Sequence, residues 1–426
     1  MKRKFTSYPL TDFKKFKIQL LNFGVRFSNF CFLDNHEYDF NKSYECIAGV
    51  NATSFIIAGK ANQLPQLEKF QRENNDWIFG HASYDLKNEI EDLHSENFDG
   101  INFPDFLFFI PEIVFILSKD AVSIGMEEKY NATEIFKEIS GIIPTVNECG
   151  SPAVLSRFSQ TEYIETIQKI QKHIARGDCY EICFCHEFFA ENAEIDPVNV
   201  FNKLNDLSPN PFSAFYKYKE KYLMCASPER FLKKTKNEII SQPVKGTSKR
   251  IKDNFQKDEL GKKALLLDEK ERAENIMIVD LVRNDLSKIC REGSVKVKEY
   301  LKIYSFPQVH QMISTISGDL PEDISIAEIF KATFPMGSMT GAPKKKAMEL
   351  IEKFERTKRG LFSGTVGYIN PNGDFDFNVV IRSILYNKAN KYLSIQAGSA
   401  ITFKSIPVKE YQECTIKMEA MRKALE

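Results

Sequence analysis

Ser241-Gln-Pro-Val-Lys-Gly-Thr-Ser-Lys-Arg250 places a lysine, Lys245, between a β-branched residue and a glycine, a poor position for a merely solubilising charge. The segment follows Ile239 and Ile240 and turns sharply through Pro243 and Gly246, as a strand end does. Gly246 lets the backbone approach a ligand closely, and Thr247 offers a hydroxyl and an N–H to a carboxylate. A lysine desolvated in such a pocket is expected to have a lowered pKa, which frees amine to act as a nucleophile. Taken alone, a surface lysine in a glycine turn is the commoner reading, because lysine is rarely fully buried. The rest of the chain reverses that preference.

Glu271 and Glu274 lie one helical turn apart, and Glu410 and Glu413 repeat the spacing on a second helix. Separately, each pair is a solvated helix face. Brought together, four carboxylates repel unless a divalent cation sits among them, and hard oxygen ligands select Mg²⁺. Glu229 follows a strand and Pro228, where a side chain projects from a sheet edge into a cleft; alone it is a plain loop acid. Arg382 interrupts the apolar run Val379 to Leu385 and needs a carboxylate, from a ligand or from the protein. Met336 to Lys344 is a glycine-punctuated turn with Pro343 at the first position of a helix, and free N–H groups there, with Ser338 and Thr340, make an anion cradle. It is not a P-loop, since the glycine spacing and the terminal Gly-Lys-Ser/Thr are missing. Lys344, Lys345 and Lys346 read as a solvated face. Cys183 and Cys185 share a strand face with residue 181, His186 points the other way, and no second cysteine pair exists, so zinc is not expected.

Several elements must position these groups. Residues 1–145 read as mixed strand and helix, with strands at Trp77–Tyr84 and Asp105–Ile110, and carry no catalytic constellation. Thr145–Ser159 is the linker to a second domain, 146–426. That domain opens with a capping box, Ser159-Gln-Thr-Glu162, an apolar stripe (Ile164, Ile167, Ile170, Ile174) and a stop at Gly177. Strands are expected at Tyr180–Phe189 and ending at Ala226-Ser-Pro-Glu229, after a turn at Ser208–Pro211. Leu260 to Cys290 reads as one helix whose second half is buried all round, with Asp280, Arg283, Asn284 and Asp285 in an internal ion-pair network. Three strands follow, Arg359–Ile369, Phe375–Tyr386 and Tyr392–Thr402. A last helix begins near Pro407 with Tyr411, Cys414, Met418, Met421 and Leu425 facing the core.

The 426 residues suffice for one large or two ordinary domains. Lysine plus arginine (58) balance aspartate plus glutamate (58), so no net positive field recruits nucleic acid or an anionic membrane. Thr6–Lys17 lacks the apolar core of a signal peptide, and Phe106–Leu117 is too short to span a bilayer. Nine dispersed cysteines fit a reducing compartment, so a soluble cytoplasmic protein is expected.

The ordered set Ala226-Ser-Pro-Glu229, Pro243-Val-Lys-Gly-Thr247, Glu271-Arg-Ala-Glu-Asn275, Asp280-Leu-Val-Arg-Asn-Asp285, Val309-His310, Gly337-Ser-Met-Thr-Gly-Ala-Pro-Lys344, Ile381-Arg382, Ala397-Gly398 and Glu410-x-x-Glu413-x-x-x-Lys417 resembles the chorismate-utilising enzymes. These comprise anthranilate and aminodeoxychorismate synthase components I and the isochorismate and salicylate synthases. The resemblance implies an α+β, anthranilate synthase component I-like fold of two facing antiparallel β-sheets with helices outside. It implies that Glu271, Glu274, Glu410 and Glu413 hold Mg²⁺ and that Gly246, Thr247, Thr340, Arg382, Gly398 and Lys417 fix the substrate carboxylates. Glu229 becomes the general acid for the C4 hydroxyl, and His310 lies beside the ring. Lys245 in Pro-x-Lys-Gly-Thr resembles the aminodeoxychorismate synthases, whereas anthranilate synthases carry alanine there. The implied chemistry is a transfer: the lysine adds at C2 of chorismate, then ammonia from a separate glutamine amidotransferase subunit adds at C4 and expels it. The product is 4-amino-4-deoxychorismate, a precursor of para-aminobenzoate and folate. Glu181 departs from the family, in which ammonia-using relatives resemble Gln and water-using ones Lys; Phe362, Ser399 and Ala400 are further departures. Phe32-Leu-Asp-Asn35 is only weakly similar to the tryptophan-binding segment of regulated relatives, and tryptophan inhibition is not expected. The alternatives are an anthranilate synthase component I and a non-catalytic chorismate-binding or partner-docking protein.

Overall fold

A computed structural model describes residues 3–39, 41–57, 63–127, 130–144, 150–306 and 309–426. The expected domain boundary, residues 145–149 of the linker and Cys149 lie outside the described residues.

The fold is α+β. Its hydrogen-bonded strand network is antiparallel and forks at the long strand Phe106–Leu117. One edge of that strand pairs with Cys46–Ile57; the other pairs with Ile78–Ala82 at its start and Ala121–Met126 at its end. Pro111, which has no N–H to donate, falls beside a bulge between Ala52 and Ser54 of the partner. From Cys46–Ile57 one sheet runs through Asn29–Asp34, Phe212–Tyr218, Lys221–Ser227, Ser383–Asn387 and Tyr392–Ile401 to Glu181–Ala190. From Ile78–Ala82 the other runs through Thr365–Ile369, Phe375–Asn378, Arg230–Thr235 and Glu238–Gln242 to Val309–Asp319. Val244–Lys249 then pairs farther along the same edge of Val309–Asp319. Pro243 stands at the handover, where a missing N–H costs nothing.

Strand alternation sorts the side chains into two cores. Cys31, Tyr216, Leu223, Cys225 and Leu385 face Phe79, Phe108, Val366 and Phe377 of the second sheet. Their neighbours Phe30, Phe32, Phe215, Met224 and Ile384 face Leu20, Phe201 and Met418 on outer helices. The two sheets therefore face one another with helices outside. Among the described residues no helix is long and apolar enough to cross a membrane.

The capping box and the helix Gln160–Ala175 form as the sequence predicts, and Gly177 takes φ +88° beyond it. The expected helix from Leu260 is two, Phe255–Leu267 and Glu269–Ser287, because the Asp268 carboxylate accepts from the Glu271 N–H and caps the second. The second is not buried all round: Ile276 is exposed and Asp280 pairs with Arg283 at the surface. Of the expected internal network only Asp285 is buried, and it pairs with Lys288 (3.0 Å) and with Lys344 (2.6 Å), which is therefore not part of a solvated face. Pro343 caps the helix Lys344–Phe354 from outside it. The expected strand Phe375–Tyr386 breaks after Asn378, and Arg382 adopts φ +51° in the gap.

Arg359 ties these pieces together. Fully buried, it donates to both carboxylate oxygens of Glu355 (3.0 and 2.6 Å), to the Met339 carbonyl (2.6 Å) and to the Cys183 carbonyl (2.6 Å). Replacing one member of a buried ion pair strands the other, at about 3–5 kcal/mol. Arg359→Met is therefore expected to lower the unfolding free energy by that amount, read as a lower urea midpoint at an unchanged denaturant slope; an unchanged midpoint would show that the pair adds no net stability.

Candidate active site

A cavity of about 580 Å³ opens between the end of the Glu181–Ala190 sheet, the strand Val244–Lys249 and the helices Glu269–Ser287 and Pro407–Leu425. That volume suits a small organic acid. Glu229, Lys245, Gly246, Thr247, Glu271, Glu274, Arg382, Gly398, Glu413 and Lys417 all line it, gathered from six separate parts of the chain.

Lys245 reaches the cavity with its side chain 12% exposed, its Nζ 3.5 Å from Glu181 Oε1 and 3.9 Å from Glu274 Oε2. The expectation of a lowered pKa is overturned. Burial alone works that way, but the charges of Glu181 and Glu274 outweigh it and hold the amine well above its ordinary value. Gly246 has φ +87°, and a Cβ there would come within 3.2 Å of Glu271 Oε2, so glycine serves both the backbone conformation and the approach of the acid.

Glu229 is buried, and Ser338 donates a 2.6 Å hydrogen bond to its Oε1. Burial pushes its carboxyl up to about 7, with the serine hydrogen bond and Lys245 opposing. A carboxyl so placed exchanges a proton near neutrality. Arg382 lines the cavity and feels the charge of Glu413; a guanidinium so placed can receive an anion. Lys417 donates to the Gly398 carbonyl (2.8 Å) and pairs with Glu413 Oε1 (2.6 Å). Burial works to raise Glu413, and the Lys417 charge outweighs it, leaving the carboxyl below its usual range. A Cβ on Gly398 would sit 2.3 Å from Cys185 Sγ, so a side chain there would collide with the adjacent strand.

Three of the four predicted metal carboxylates gather, but around a lysine. Lys270 Nζ stands 3.1 Å from Glu410 Oε1, 3.7 Å from Glu274 Oε1 and 3.7 Å from Glu413 Oε2. Among the described residues no three metal-ligating side chains are close enough to hold an ion together. The donor set nevertheless suits a hard divalent cation: Glu274 Oε1 and Glu410 Oε2 are buried carboxylate oxygens without a hydrogen-bond partner among the described residues. Burial raises Glu274 to about 7 against the pull of Lys245.

Three expected site residues do not line the cavity: Glu410, buried beside Lys270, and two whose side chains are satisfied elsewhere. His310 is 1% exposed, with Nδ1 2.8 Å from Ser305 Oγ and Nε2 3.1 Å from Asp258 Oδ1. Its neighbours Val309 and Gln311 line the cavity, so strand alternation turns His310 to the opposite face. The expectation that it lies beside a bound ring is corrected accordingly. Thr340 turns its hydroxyl onto the Met336 and Gly337 carbonyls of its own turn, so it offers a ligand no side-chain donor. Sequence reasoning missed Lys270 and gave Glu181 no role. The i, i+4 spacing of Lys270 to Glu274 was a usable sign; the contact of Glu181 with Lys245 was not readable from spacing.

The family described as chorismate binding enzyme matches residues 30–423. The chain is 40% identical over 270 residues to a protein named aminodeoxychorismate synthase, chloroplastic, of Arabidopsis thaliana; the match covers 63% of this chain and only 29% of that protein. Aminodeoxychorismate synthase component 1 of Bacillus subtilis is 31% identical over 364 residues, 82% of this chain and 76% of the relative. Anthranilate synthase component 1 of Aquifex aeolicus is 30% identical over 371 residues, 82% and 74% of the two chains. The fold matches the crystal structure of anthranilate synthase component I from Streptococcus pneumoniae with TM-score 0.76 at 24% identity, covering 91% of this chain and 94% of that one.

The raised Glu229 carboxyl has a testable sign. Its unfolded value is the ordinary 4.5 and its folded value about 7, so the folded state binds more protons between the two. Its contribution to stability is thus present below pH 4.5 and is lost as pH rises through about 7. In Glu229→Gln that loss is expected to vanish from the pH dependence of unfolding, together with a protonated-carboxyl infrared band that titrates near pH 7 in the parent.

Proposed function

We propose that this chain, which belongs to the family of chorismate-binding enzymes, aminates chorismate at C4 to give 4-amino-4-deoxychorismate, on the route to para-aminobenzoate and folate. The observation that carries this reading is Lys245: a buried amine on the wall of a carboxylate-binding cavity, with Glu229 lining the same cavity. Arg382, Lys417 and the Gly246–Thr247 backbone supply cationic and N–H partners for the two carboxylates of chorismate. Glu271, Glu274, Glu410 and Glu413 would hold Mg²⁺. Bound there, the ion would neutralise the ring carboxylate and the acids around it.

Lys245 must shed a proton before it attacks, and Glu181, Glu274 and Glu229 are the carboxylates whose charge it feels. The Nζ–C2 bond forms as both ring double bonds shift, C1=C2 to C1=C6 and C5=C6 to C4=C5, and the C4–O bond breaks; the Glu229 proton goes to the departing hydroxyl, which leaves as water. Ammonia then bonds to C4, both double bonds shift back, and the C2–N bond breaks to return the amine to Lys245. Glu229, now a carboxylate, takes the surplus proton of the new C4 ammonium. Ammonia is proposed to come from a glutamine amidotransferase subunit.

The anthranilate reading has relatives of that name behind it. Direct attack of ammonia at C2 leaves Lys245 without a task, and a Lys245 adduct at C2 occupies the carbon ammonia would need, which favours the C4 product. Chorismate, ammonia and Mg²⁺ are expected to yield 4-amino-4-deoxychorismate by mass spectrometry, and Lys245→Ala is expected to lose kcat on the order of a thousandfold. Fluorescent anthranilate as the product, or amination at full rate by Lys245→Ala, would retire the proposal. Mg²⁺ binding measured by calorimetry is expected to weaken about tenfold or more in Glu274→Gln; unchanged affinity would remove Glu274 from the ligand set.

A further inference from the structure

Glu181 opens the strand Glu181–Ala190 and is 1% exposed. Its Oε1 is 3.5 Å from Lys245 Nζ, and its Oε2 is buried without a hydrogen-bond partner among the described residues. Lys245 lines the cavity and Glu181 does not, so the carboxylate stands behind the amine. A buried acid keeps its charge only beside a positive one, and Lys245 is the cation within 4 Å of Glu181.

The backbone fixes Glu181 more firmly than its side-chain contact suggests. Ile182 pairs with Gly341 and Glu181 with Ala342, while the N–H groups of Tyr180 and Cys183 donate to the Ala342 and Thr340 carbonyls at 2.7 and 2.8 Å. The same turn, two residues earlier than Thr340, carries the Ser338 hydroxyl that donates to Glu229. One rigid turn therefore locates both the acid that serves C4 and the carboxylate that holds the amine. Lys245 itself is on a long flexible stem, and its second carboxylate contact, Glu274, belongs to the proposed metal set. Once Glu274 serves a metal, Glu181 is the anchor that stays with the amine.

We infer that Glu181 is the positioning residue of the nucleophile, holding the Lys245 amine against the cavity wall in register with the reacting carbon. The inference rests on the proposal that Lys245 attacks chorismate. Glu181→Gln keeps the shape and removes the charge. Steady-state kinetics of the purified chain with chorismate, ammonia and Mg²⁺ are expected to show kcat lowered by about ten- to a hundredfold with KM for chorismate within about twofold. The Lys245-linked adduct, followed by intact-protein mass spectrometry, should form more slowly by the same factor. Glu181→Asp, which keeps the charge, should fall between the parent and Glu181→Gln. Unchanged kcat in Glu181→Gln, a Glu181→Asp rate no higher than that of Glu181→Gln, or a raised KM with a lowered melting temperature would overturn the role. Lys245→Ala separates the two claims. If it still aminates, the nucleophile assignment fails; if it is inactive while Glu181→Gln is not impaired, only the anchoring role fails.

Discussion

Carboxylates confined out of the reach of water repel one another, and each must be matched by a cation close by or give up its charge. That constraint organises this protein. Glu181, Glu229, Glu271, Glu274, Glu410 and Glu413 come within one region from four parts of the chain, and Lys245, Lys270, Arg382 and Lys417 come with them. Where a cation is in direct contact, as Lys417 is with Glu413, the acid stays ionised. Where burial dominates, as at Glu229 and Glu274, the carboxyl is lifted toward neutrality. The spread of acidities across one cavity is therefore a product of placement, since the acids are chemically alike.

Placement in turn depends on backbone that cannot relax. Arg359 joins Glu355, the Met339 carbonyl and the Cys183 carbonyl, and so locks the turn that carries Ser338 to the strand that carries Glu181. Gly398 sits where a side chain would strike Cys185, which lets the neighbouring strand pass close beneath the cavity wall. The fork at Phe106–Leu117 binds the two sheets through shared hydrogen bonds, so groups on opposite sheets keep a fixed separation. None of these residues needs to meet a ligand to matter for the chemistry.

Much of this was legible in the sequence, and the failures share a cause. Spacing identified both Glu-x-x-Glu pairs, the Lys245 turn, the odd arginine at 382 and the capping box, because each is a local pattern. The antiparallel α+β class followed from ordered motifs. His310 was misplaced because the face a strand residue takes depends on register, and register is set by partners distant in sequence. Thr340 was misassigned because a turn threonine can satisfy itself locally. The sign of the Lys245 shift was wrong because desolvation is readable from apolar neighbours, whereas the acids that reverse it arrive from positions 181 and 274. Glu181 escaped for the same reason.

The two lysines among the acids show how such a site can be both foldable and chemically poised. Lys270 is 42% exposed and shares itself among three carboxylates at 3.1 to 3.7 Å, a loose arrangement that solvent screens and that a long side chain can leave without exposing apolar surface. It lets the acids pack together without a metal among them, and the proposed divalent cation, claiming those oxygens, would displace it to water at little cost. Lys245 has no such exit: at 12% exposure, with Glu181 behind it, removal from its acids would leave two buried charges unmatched. Its charge is therefore surrendered only by moving a proton to a neighbour, which is the event that the proposed nucleophilic role requires. Burial and pairing together convert the requirement for electroneutrality into a restriction on when the amine can react.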